Sequence, residues 1–564
     1  MSFNLSEREF NPVMGEGKHA QPTPSCRVTG RNSHYDVRRW SYRKSMATAG
    51  DALVRALHGH NQWWEQGTEA FSLPHRQKSD FYHLVRPDAS GSQFEEQQLL
   101  GLVGRQGVGK TTLLHQFIHH RIDAGWEPEL FLYLPFDADP LYQLQSDRQL
   151  RRAVRYYESH ILGRIDTDRP HFILLDDVHR IEHPNKPTID RWGVPVAELL
   201  DKTPERYVAV TASAGAQVRR ELESVTEPID YSVQPILPEK FRDHIFTVYP
   251  AFENEDTRAS PTSLRAGENS LPAALRSHDI DPFIEEVRQK YDRVADVERR
   301  IQSRVVDYLA MGGTISYERD DIVESAAELT AEDYTRLRDA VRNALYQDVP
   351  GFESIQTIAD LERLCALAAR NRGVETFRYQ DLVDLFDIDR RTIADRYLPT
   401  LGALYLLTGI TEYDNSRPRS VKLYLRDTGL VTALTDSDAT AVRSDFDREA
   451  DLAHVAAFDH TMRFAYGINA AQGDDGMPSV EYWRGRDGEL NFVFEVEDTP
   501  VPVGMAYRSR EREDSLAAIR EFKRRYDAPL GLLLAGDTVR EGAPIEDLGD
   551  GIVELPYWLY LLLC

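Results

Sequence analysis

Eight consecutive residues constrain this chain more than any other part of it: Gly104-Arg105-Gln106-Gly107-Val108-Gly109-Lys110-Thr111, which satisfies the pattern G-x-x-x-x-G-K-[ST] in full. The octet follows a short apolar run, QLLGLVG (98–104), and opens a stretch with helical spacing, TTLLHQFIHHRI. Strand, glycine-rich turn and helix are the setting in which the pattern works. Glycines let the backbone curl so that successive N–H groups face one point, and the helix N-terminus adds its partial positive charge there. Such a loop holds phosphate. The spacing predicts that Gly104, Gly107, Val108, Gly109, Lys110, Thr111 and Thr112 line an ATP site, with Lys110 reaching the β and γ phosphates and Thr111 offering its hydroxyl to Mg²⁺.

Three further apolar runs, ELFLYLP (129–135), HFILLDD (171–177) and RYVAVTAS (206–213), alternate with helical patterns. This alternation predicts an α/β fold with a parallel sheet covered by helices on both faces. HFILLDD reads as a Walker B strand, four apolar residues and then Asp176, which should hold Mg²⁺ through water opposite Thr111. A strand lies between the two motifs, as in P-loop ATPases that place an acidic base after the Mg²⁺ aspartate. That base is Asp177, with a helix N-cap or surface carboxylate as the alternative. Most such ATPases carry Glu there, so the shorter side chain predicts slow hydrolysis. At the end of the next strand Thr211 or Ser213 is placed to bond the attacking water or the γ-phosphate, and for a strand Thr a structural role is equally natural. Arg219, Arg220 and Arg242 are candidates for an arginine acting on the γ-phosphate in cis or in trans.

Lys plus Arg is 67 against 92 for Asp plus Glu, a formal net charge of -25, which argues against general adhesion to nucleic acid or anionic lipid. Only 10 of the basic residues are Lys, and acidic surplus with scarce Lys resembles proteins of salt-accumulating archaea. With 57 Arg in the chain most arginines must be ordinary surface residues. Three scattered cysteines, Cys26, Cys365 and Cys564, make neither a disulfide framework nor a zinc site. The N-terminus lacks a signal-peptide pattern and PYWLYLLLC is too short to span a membrane, so a soluble cytoplasmic protein is expected.

Residues 1–45 read as a largely disordered arm; within it the stretch RVTGRNSHYDVRRWSYRK (27–44) sets Arg27, Arg31, Arg38, Arg39, Arg43 and Lys44 against a single acid, Asp36, with Tyr35, Trp40 and Tyr42 interleaved. Residues 1–97 hold 12 basic and 11 acidic residues, so the acidity lapses there; the arm either docks on the body or touches nucleic acid. A helical lead-in over 46–97 precedes the ATPase core at 98–250. The polar, Pro-containing stretch FENEDTRASPTSLRAGENSLP places a linker or loop at 251–279, and 280–370 is helical in period. Short helices precede VKLYLRD in 371–435, and 436–564 returns to strands: VEYWRG, ELNFVFEVE, VPVGMAY and LGLLLAG.

In its motifs and their order the chain resembles the prokaryotic, mainly archaeal AAA-type ATPases that end in a degenerate restriction-endonuclease-like domain. NQWWEQ (61–66) resembles their Asn-Pro-Trp-Trp segment, and DFYHLV the segment after it. LLDDVHRI is similar to their LLDEIQ, VTASAG to LTGSS and QPILPEKFRDHI to YPLSFREF; DYLAMGG (307–313) resembles YLLYGGFP, and VKLYLRDTGL (421–430) resembles KVYFVDTGL. The resemblance runs from about 55 to the C-terminus, and only the Walker pieces are individually specific. It implies an ATPase core, a helical lid at 280–370, a winged-helix-like segment at 371–435 and a small α/β nuclease-like domain at 436–564.

Two departures from that family matter. Asp177 stands for the usual Glu, and paired aspartates are shared with signal-transducing ATPases that use ATP as a slow switch. Where the nuclease-like fold would carry Asp, Glu and Lys, this chain has Asn491, Gly504 and Ala506, so a metal-dependent cut lacks its carboxylates and base. Glu495 and Glu497 are the remaining acids that could rebuild such a site.

FRYQDLVDLFDIDRRTIADRYLPTLGALYLLTGI (377–410) reads as helix, turn and second helix, with Arg390, Arg391 and Arg396 where a recognition helix begins and Arg417, Arg419, Lys422 and Arg426 as on a wing. DNA contact and a structural joint are both open for this segment. The expectation is a Mg²⁺-dependent, slow AAA-type ATPase whose C-terminal modules report nucleotide state to DNA or a protein partner, with a homo-oligomer open and no membrane involved. The alternative is an ATP switch with negligible hydrolysis that acts through protein partners.

Overall fold

The computed structural model describes residues 52–73, 98–136, 147–178, 192–200, 205–223, 225, 231–249, 264–314, 325–355, 357–472, 477–486, 488–536 and 545–564. The basic N-terminal arm and DFYHLV lie outside the described residues. The chain divides into Met1–Ala52 and Leu53–Cys564, and the architecture below is that of the second unit.

Five parallel strands, β1 (Leu99–Val103), β2 (Phe131–Pro135), β3 (His171–Asp176), β4 (Arg206–Ala212) and β5 (Tyr231–Pro235), form a sheet in the order β2-β3-β4-β1-β5. β1 to β3 are buried along their whole length and β4 nearly so, as parallel strands with both faces covered must be, and this is why they read as apolar runs. β5 lies at the sheet edge and is half-exposed for four of its five residues, so YSVQP carries no such run. The opposite edge, β2, is closed from outside the sheet. Asn61 pairs with both backbone groups of Tyr133, at 2.7 and 2.9 Å, and the indole N–H groups of Trp63 and Trp64 donate to the Phe131 carbonyl. An open edge is thereby satisfied by side chains, which is the structural task of NQWW.

Beyond the sheet the described chain is helical to residue 371. Ser270–Ser277 is already a helix, so the expected linker at 251–279 ends earlier than its composition suggested; Leu271 and Leu275 turn one face of that helix into the core. Helices Asp281–Asp292, Glu298–Met311, Ala331–Asn343 and Ile358–Asn371 follow. A three-stranded sheet in the order β6 (Phe377–Arg378), β8 (Ser420–Leu425), β7 (Leu407–Ile410) encloses helix Tyr379–Phe386 and a second helical stretch over 390–403 with a π-helical turn at Thr392–Tyr397.

Helix Phe446–Ala471, capped by the Asp445 carboxylate on the Asp447 and Arg448 N–H groups, leads into the last sheet. Its strands are β9 (Val480–Arg484), β10 (Glu489–Val496), β11 (Thr499–Ala506), β12 (Gly531–Ala535), β13 (Glu546–Asp547) and β14 (Ile552–Pro556), in the order β13-β14-β12-β11-β10-β9. β9 to β11 form an antiparallel meander, and helix Arg512–Tyr526 then carries the chain to β12, parallel to β11. The C-terminal helix Tyr557–Leu563 is wholly buried. Among the described residues no helix is long and apolar enough to cross a membrane. One apolar core runs without interruption from Ala214 through the helical region and the three-stranded sheet to Cys564, so the segments expected as lid, winged helix and last domain share their interior. A second core fills the five-stranded layer.

Candidate nucleotide-binding site

The loop after β1 sits at the C-terminal edge of the parallel sheet, beside the ends of β4 and β5, with which Val103 is in register through Ala212 and Pro235. Gly107 and Gly109 adopt φ of 83° and 91°, the left-handed region that a side chain disfavours. A Cβ on Gly104 would collide with the Ile236 carbonyl, so the loop begins against the chain leaving β5. Helix Lys110–Asp123 starts at once, with Gly109 at its N-cap. Lys110 is buried and folds back over its own loop, donating to the carbonyls of Gly104 at 2.7 Å and Arg105 at 3.1 Å. Val108 is buried behind the loop, Thr111 is exposed and Thr112 half-buried.

Thr111 and Asp176, the two residues expected to hold Mg²⁺, lie side by side. The Thr111 hydroxyl donates to one Asp176 oxygen at 2.7 Å. Register between β3 and β4 sets Asp176 beside Thr211, whose hydroxyl donates to the other Asp176 oxygen and accepts the Asp177 N–H at 2.8 Å. Asp177 itself has φ 53°, which turns the chain as it leaves β3. Thr211 therefore ties the two aspartates together, while Ser213 is buried one step beyond the strand. Tyr133, in the middle of β2, also donates to Asp176, at 2.8 Å. Its ring meets His115 edge-on at 4.7 Å between centroids. Burial lowers the pKa of His115, against the pull of Asp176, so the ring is held neutral. These groups, with Trp63 and Phe71, line a cleft of about 380 Å³ that reaches Thr111 and Asp176. Neither Tyr133 nor His115 could be singled out from sequence, where each is one aromatic or ring residue in a buried element.

The variable residue of the phosphate loop carries the main surprise. Arg105 is 1 % exposed, and its guanidinium reaches Asp427 at 2.8 Å and the Thr314 hydroxyl, which itself donates to Asp427. Asp427 belongs to the segment LYLRDTGL and also caps helix Thr428–Leu434 through the Gly429 N–H at 2.7 Å. The loop that would hold phosphate is thus ion-paired to a segment 322 residues further along the chain.

Of the candidate arginines, Arg242 is fully buried and donates to the carbonyls of Leu562 and Leu563. It is a joint with the C-terminal helix rather than a group presented to phosphate. Arg219 and Arg220 lie on helix Gly215–Glu223. Arg390 and Arg391 open the second helical stretch, as expected, and are exposed. Arg390 donates to the Pro418 carbonyl at 2.6 Å and covers the Tyr379 ring, and Arg396 pairs with Glu353 at 3.0 Å. Arg417 and Arg419 are exposed. Lys422 and Arg426 do not form an exposed wing: both are buried, Lys422 on β8 against Glu489 at 2.5 Å and Arg426, the residue after β8, against Asp459 at 2.7 Å.

In the last sheet Asn491 spends its side chain on structure, accepting the Met505 N–H at 3.0 Å and lying 3.2 Å from the His454 ring. Helix Arg512–Tyr526 packs directly on Gly504, where a Cβ would sit 3.0 Å from Ile519. Ala506 is buried. Glu495 accepts from the Tyr413 hydroxyl at 2.8 Å, and Glu497, in the β10–β11 turn, pairs with Arg276 at 2.6 Å. Cys365 and Cys564 are buried free thiols, and no His, Cys, Asp or Glu cluster able to hold a metal occurs among the described residues.

Comparison with known proteins gives the following. Residues 323–441 match a domain of unknown function, DUF8612. The uncharacterized protein MJ1637 of Methanocaldococcus jannaschii is 23 % identical over 345 residues, which cover 60 % of this chain and 63 % of that protein; the chain thus spans less than two thirds of the curated relative it matches. Among solved structures, the Walker-type ATPase PABY2304 of Pyrococcus abyssi aligns with TM-score 0.35 and 12 % identity over 60 % of this chain and 92 % of that one. The ORC1 protein of Aeropyrum pernix, in complex with DNA, aligns with TM-score 0.21 and 13 % identity over 61 % and 88 %. Residues 96–239 match the AAA domain, and with the phosphate loop, Asp176 and the parallel sheet in place the chain carries an AAA-type P-loop ATPase domain.

Proposed function

We propose that this protein is a slow, Mg²⁺-dependent ATPase whose C-terminal body follows the nucleotide state of the loop. The observation that carries the reading is the bonded set Thr111, Asp176, Thr211 and Asp177 at the mouth of a P-loop. The donor set fits ATP and Mg²⁺: loop N–H groups and Lys110 suit the phosphates, and Thr111 and Asp176 would hold the cation. Bound Mg²⁺ neutralises phosphate charge as it develops. The chain's own residues do the rest. Lys110 exchanges loop carbonyls for phosphate oxygens, Thr211 fixes the orientation of the two aspartates, and Asp177 takes the proton of the attacking water. Asp177 is a methylene shorter than Glu and its backbone is pinned by Thr211, which supports slow turnover.

A second reading, an ATP switch with negligible hydrolysis that acts through protein partners, is favoured by the same pinned Asp177. The helical pair between β6 and β7 supports a winged-helix-like segment at 371–435. The helix, three-strand meander, helix and parallel strand over 446–535 support a nuclease-like fold at 436–564 that has lost its chemistry through Asn491, Gly504 and Ala506. DNA contact through Arg391, with Arg390 and Arg396 beside it, a homo-oligomer, a cytoplasmic location and adaptation to high salt complete the proposal. The test is ATP-dependent thermal stabilisation and turnover. ATP with Mg²⁺ raises the melting temperature of the wild type, since a ligand of the native state stabilises it by mass action, and leaves Lys110→Ala unchanged. Equal shifts in both proteins remove the P-loop assignment. Measurable phosphate release supports the enzyme and its absence the switch.

A further inference from the structure

Asp176 accepts hydroxyl hydrogens from three elements around it. Thr111, at the start of helix Lys110–Asp123, and Tyr133, on β2, both donate to Oδ2, at 2.7 and 2.8 Å, and Thr211, on β4, donates to Oδ1. The torsion that swings a carboxylate is broad, and one donor on one oxygen does not fix it. Thr111 is also the residue expected to serve the cation, which leaves Thr211 on one oxygen and Tyr133 on the other to set the plane of the group. Strand register explains how Tyr133 gets there. It lies opposite Leu174 on β3, and Asp176, two residues and about 6.6 Å further along, projects from the same face. The phenol runs along the sheet towards its C-terminal edge and ends at the carboxylate. Tyr133 is itself held fast. Asn61 takes both of its backbone groups, and the rings of His115 and Trp63 stand 4.7 and 6.3 Å from its own, centroid to centroid. The residue is 4 % exposed, so water competes little for its hydroxyl, and a hydrogen bond to an ionised acceptor is roughly twice as strong as a neutral one.

We propose that Tyr133 is a positioning residue of the Mg²⁺ site: its hydroxyl holds the Asp176 carboxylate in the plane from which it faces the cation beside Thr111. The inference rests on the Mg²⁺–ATP reading of this site and adds to it a residue outside both Walker motifs. Phe in place of Tyr133 would fill the same space but leave Oδ2 with Thr111 alone, and Thr111 would then have to steady the carboxylate and serve the metal at once. Asn61 enters the site at one remove. The segment NQWW, which closes the sheet edge at β2, also fixes the backbone of the residue that aims the metal carboxylate.

The experiment titrates ATP into the full chain by calorimetry, once in excess Mg²⁺ and once in EDTA. The ratio of the two affinities is the coupling between metal and nucleotide, and it isolates what the metal residues add from what the loop holds by itself. Wild type is expected to bind ATP at least tenfold more tightly with Mg²⁺. Tyr133→Phe, which keeps the ring and removes only the hydroxyl, lowers that ratio at least threefold and leaves the affinity in EDTA within twofold of wild type. Asp176→Asn lowers the ratio at least as far. Trp63→Phe disturbs the same aromatic cluster, but the Trp63 indole N–H donates to the Phe131 carbonyl and not to Asp176, so this variant keeps the ratio within twofold. A fall of less than threefold in Tyr133→Phe, an equal loss of its affinity in EDTA, or the same fall in Trp63→Phe overturns the proposal and leaves the Mg²⁺–ATP site standing. A wild type that binds ATP equally with and without Mg²⁺ removes that reading, and the role of Tyr133 with it.

Discussion

Replacing Asp427 by Asn removes one charge from a pair that is 1 % and 0 % exposed. Arg105 then keeps its charge in the interior opposite a neutral amide. Breaking a buried pair from one side costs about 3–5 kcal/mol, because the remaining charge is uncompensated. Asn can still accept the Gly429 N–H, so the helix cap survives and the lower figure, about 3 kcal/mol, applies. Arg105→Met strands the carboxylate with only Thr314 and Gly429 and should cost a similar amount. The double variant buries no charge, so its loss should be about 1–2 kcal/mol, far below the roughly 6 kcal/mol sum of the two singles. Urea denaturation of the four proteins measures this cycle. Loosening Arg105 also frees the carbonyl that Lys110 grips, so ATP-induced stabilisation should shrink in either single variant. If the two single losses add within about 0.5 kcal/mol, the pair is not coupled and the loop is not clamped by the C-terminal body.

Asp177→Asn should lower turnover at least tenfold with nucleotide affinity nearly kept, because water positioning matters in the transition state, whereas Asp176→Asn should weaken the Mg²⁺ complex itself; phosphate release and titration separate the two. The purified protein should leave DNA intact with Mg²⁺ or Mn²⁺, and cleavage that disappears on Glu495→Gln or Glu497→Gln would overturn this. Duplex DNA binding, measured with and without ATP, should depend on Arg391 more than on Arg390 or Arg396, which already have protein partners; no binding even at low salt makes this segment a joint. Stability should fall as pH drops from about 6.5 towards 4: burial, with Arg206 beside His171, Lys422 and Arg508 beside His454 and Arg463 beside His460, holds these rings at about 4, 4 and 3, so the unfolded chain binds more protons in that window. His454→Gln should flatten a melting-temperature profile there, and an unchanged slope would refute the assignment.

The candidate nucleotide site was legible in the sequence because the pattern that marks it is local. A glycine loop between an apolar strand and a helix, and a carboxylate ending another apolar run, each announce themselves within about eight residues, and the sheet then only has to bring Thr111 and Asp176 together. The same applies to β1 to β4, whose burial on both faces leaves uniform apolar runs. β5 was missed because an edge strand with one wet side has no such run. Charge signs along the chain misled at Lys422 and Arg426, since a local basic excess does not say which way each side chain points, and Lys422 on β8 and Arg426 just after it are both buried. The tasks of Tyr133, His115 and Asn61 depend on neighbours in other elements. Arg105 is the clearest case. Its position in the motif accepts any residue, and only the packing of chain segments more than 200 and 300 residues away, at Thr314 and Asp427, makes it a buried ion-pair partner. Sequence determines what a short segment can bind, while the tertiary structure decides which charges are desolvated and against what, because desolvation is set by all the atoms around a group and not by those next to it in the chain.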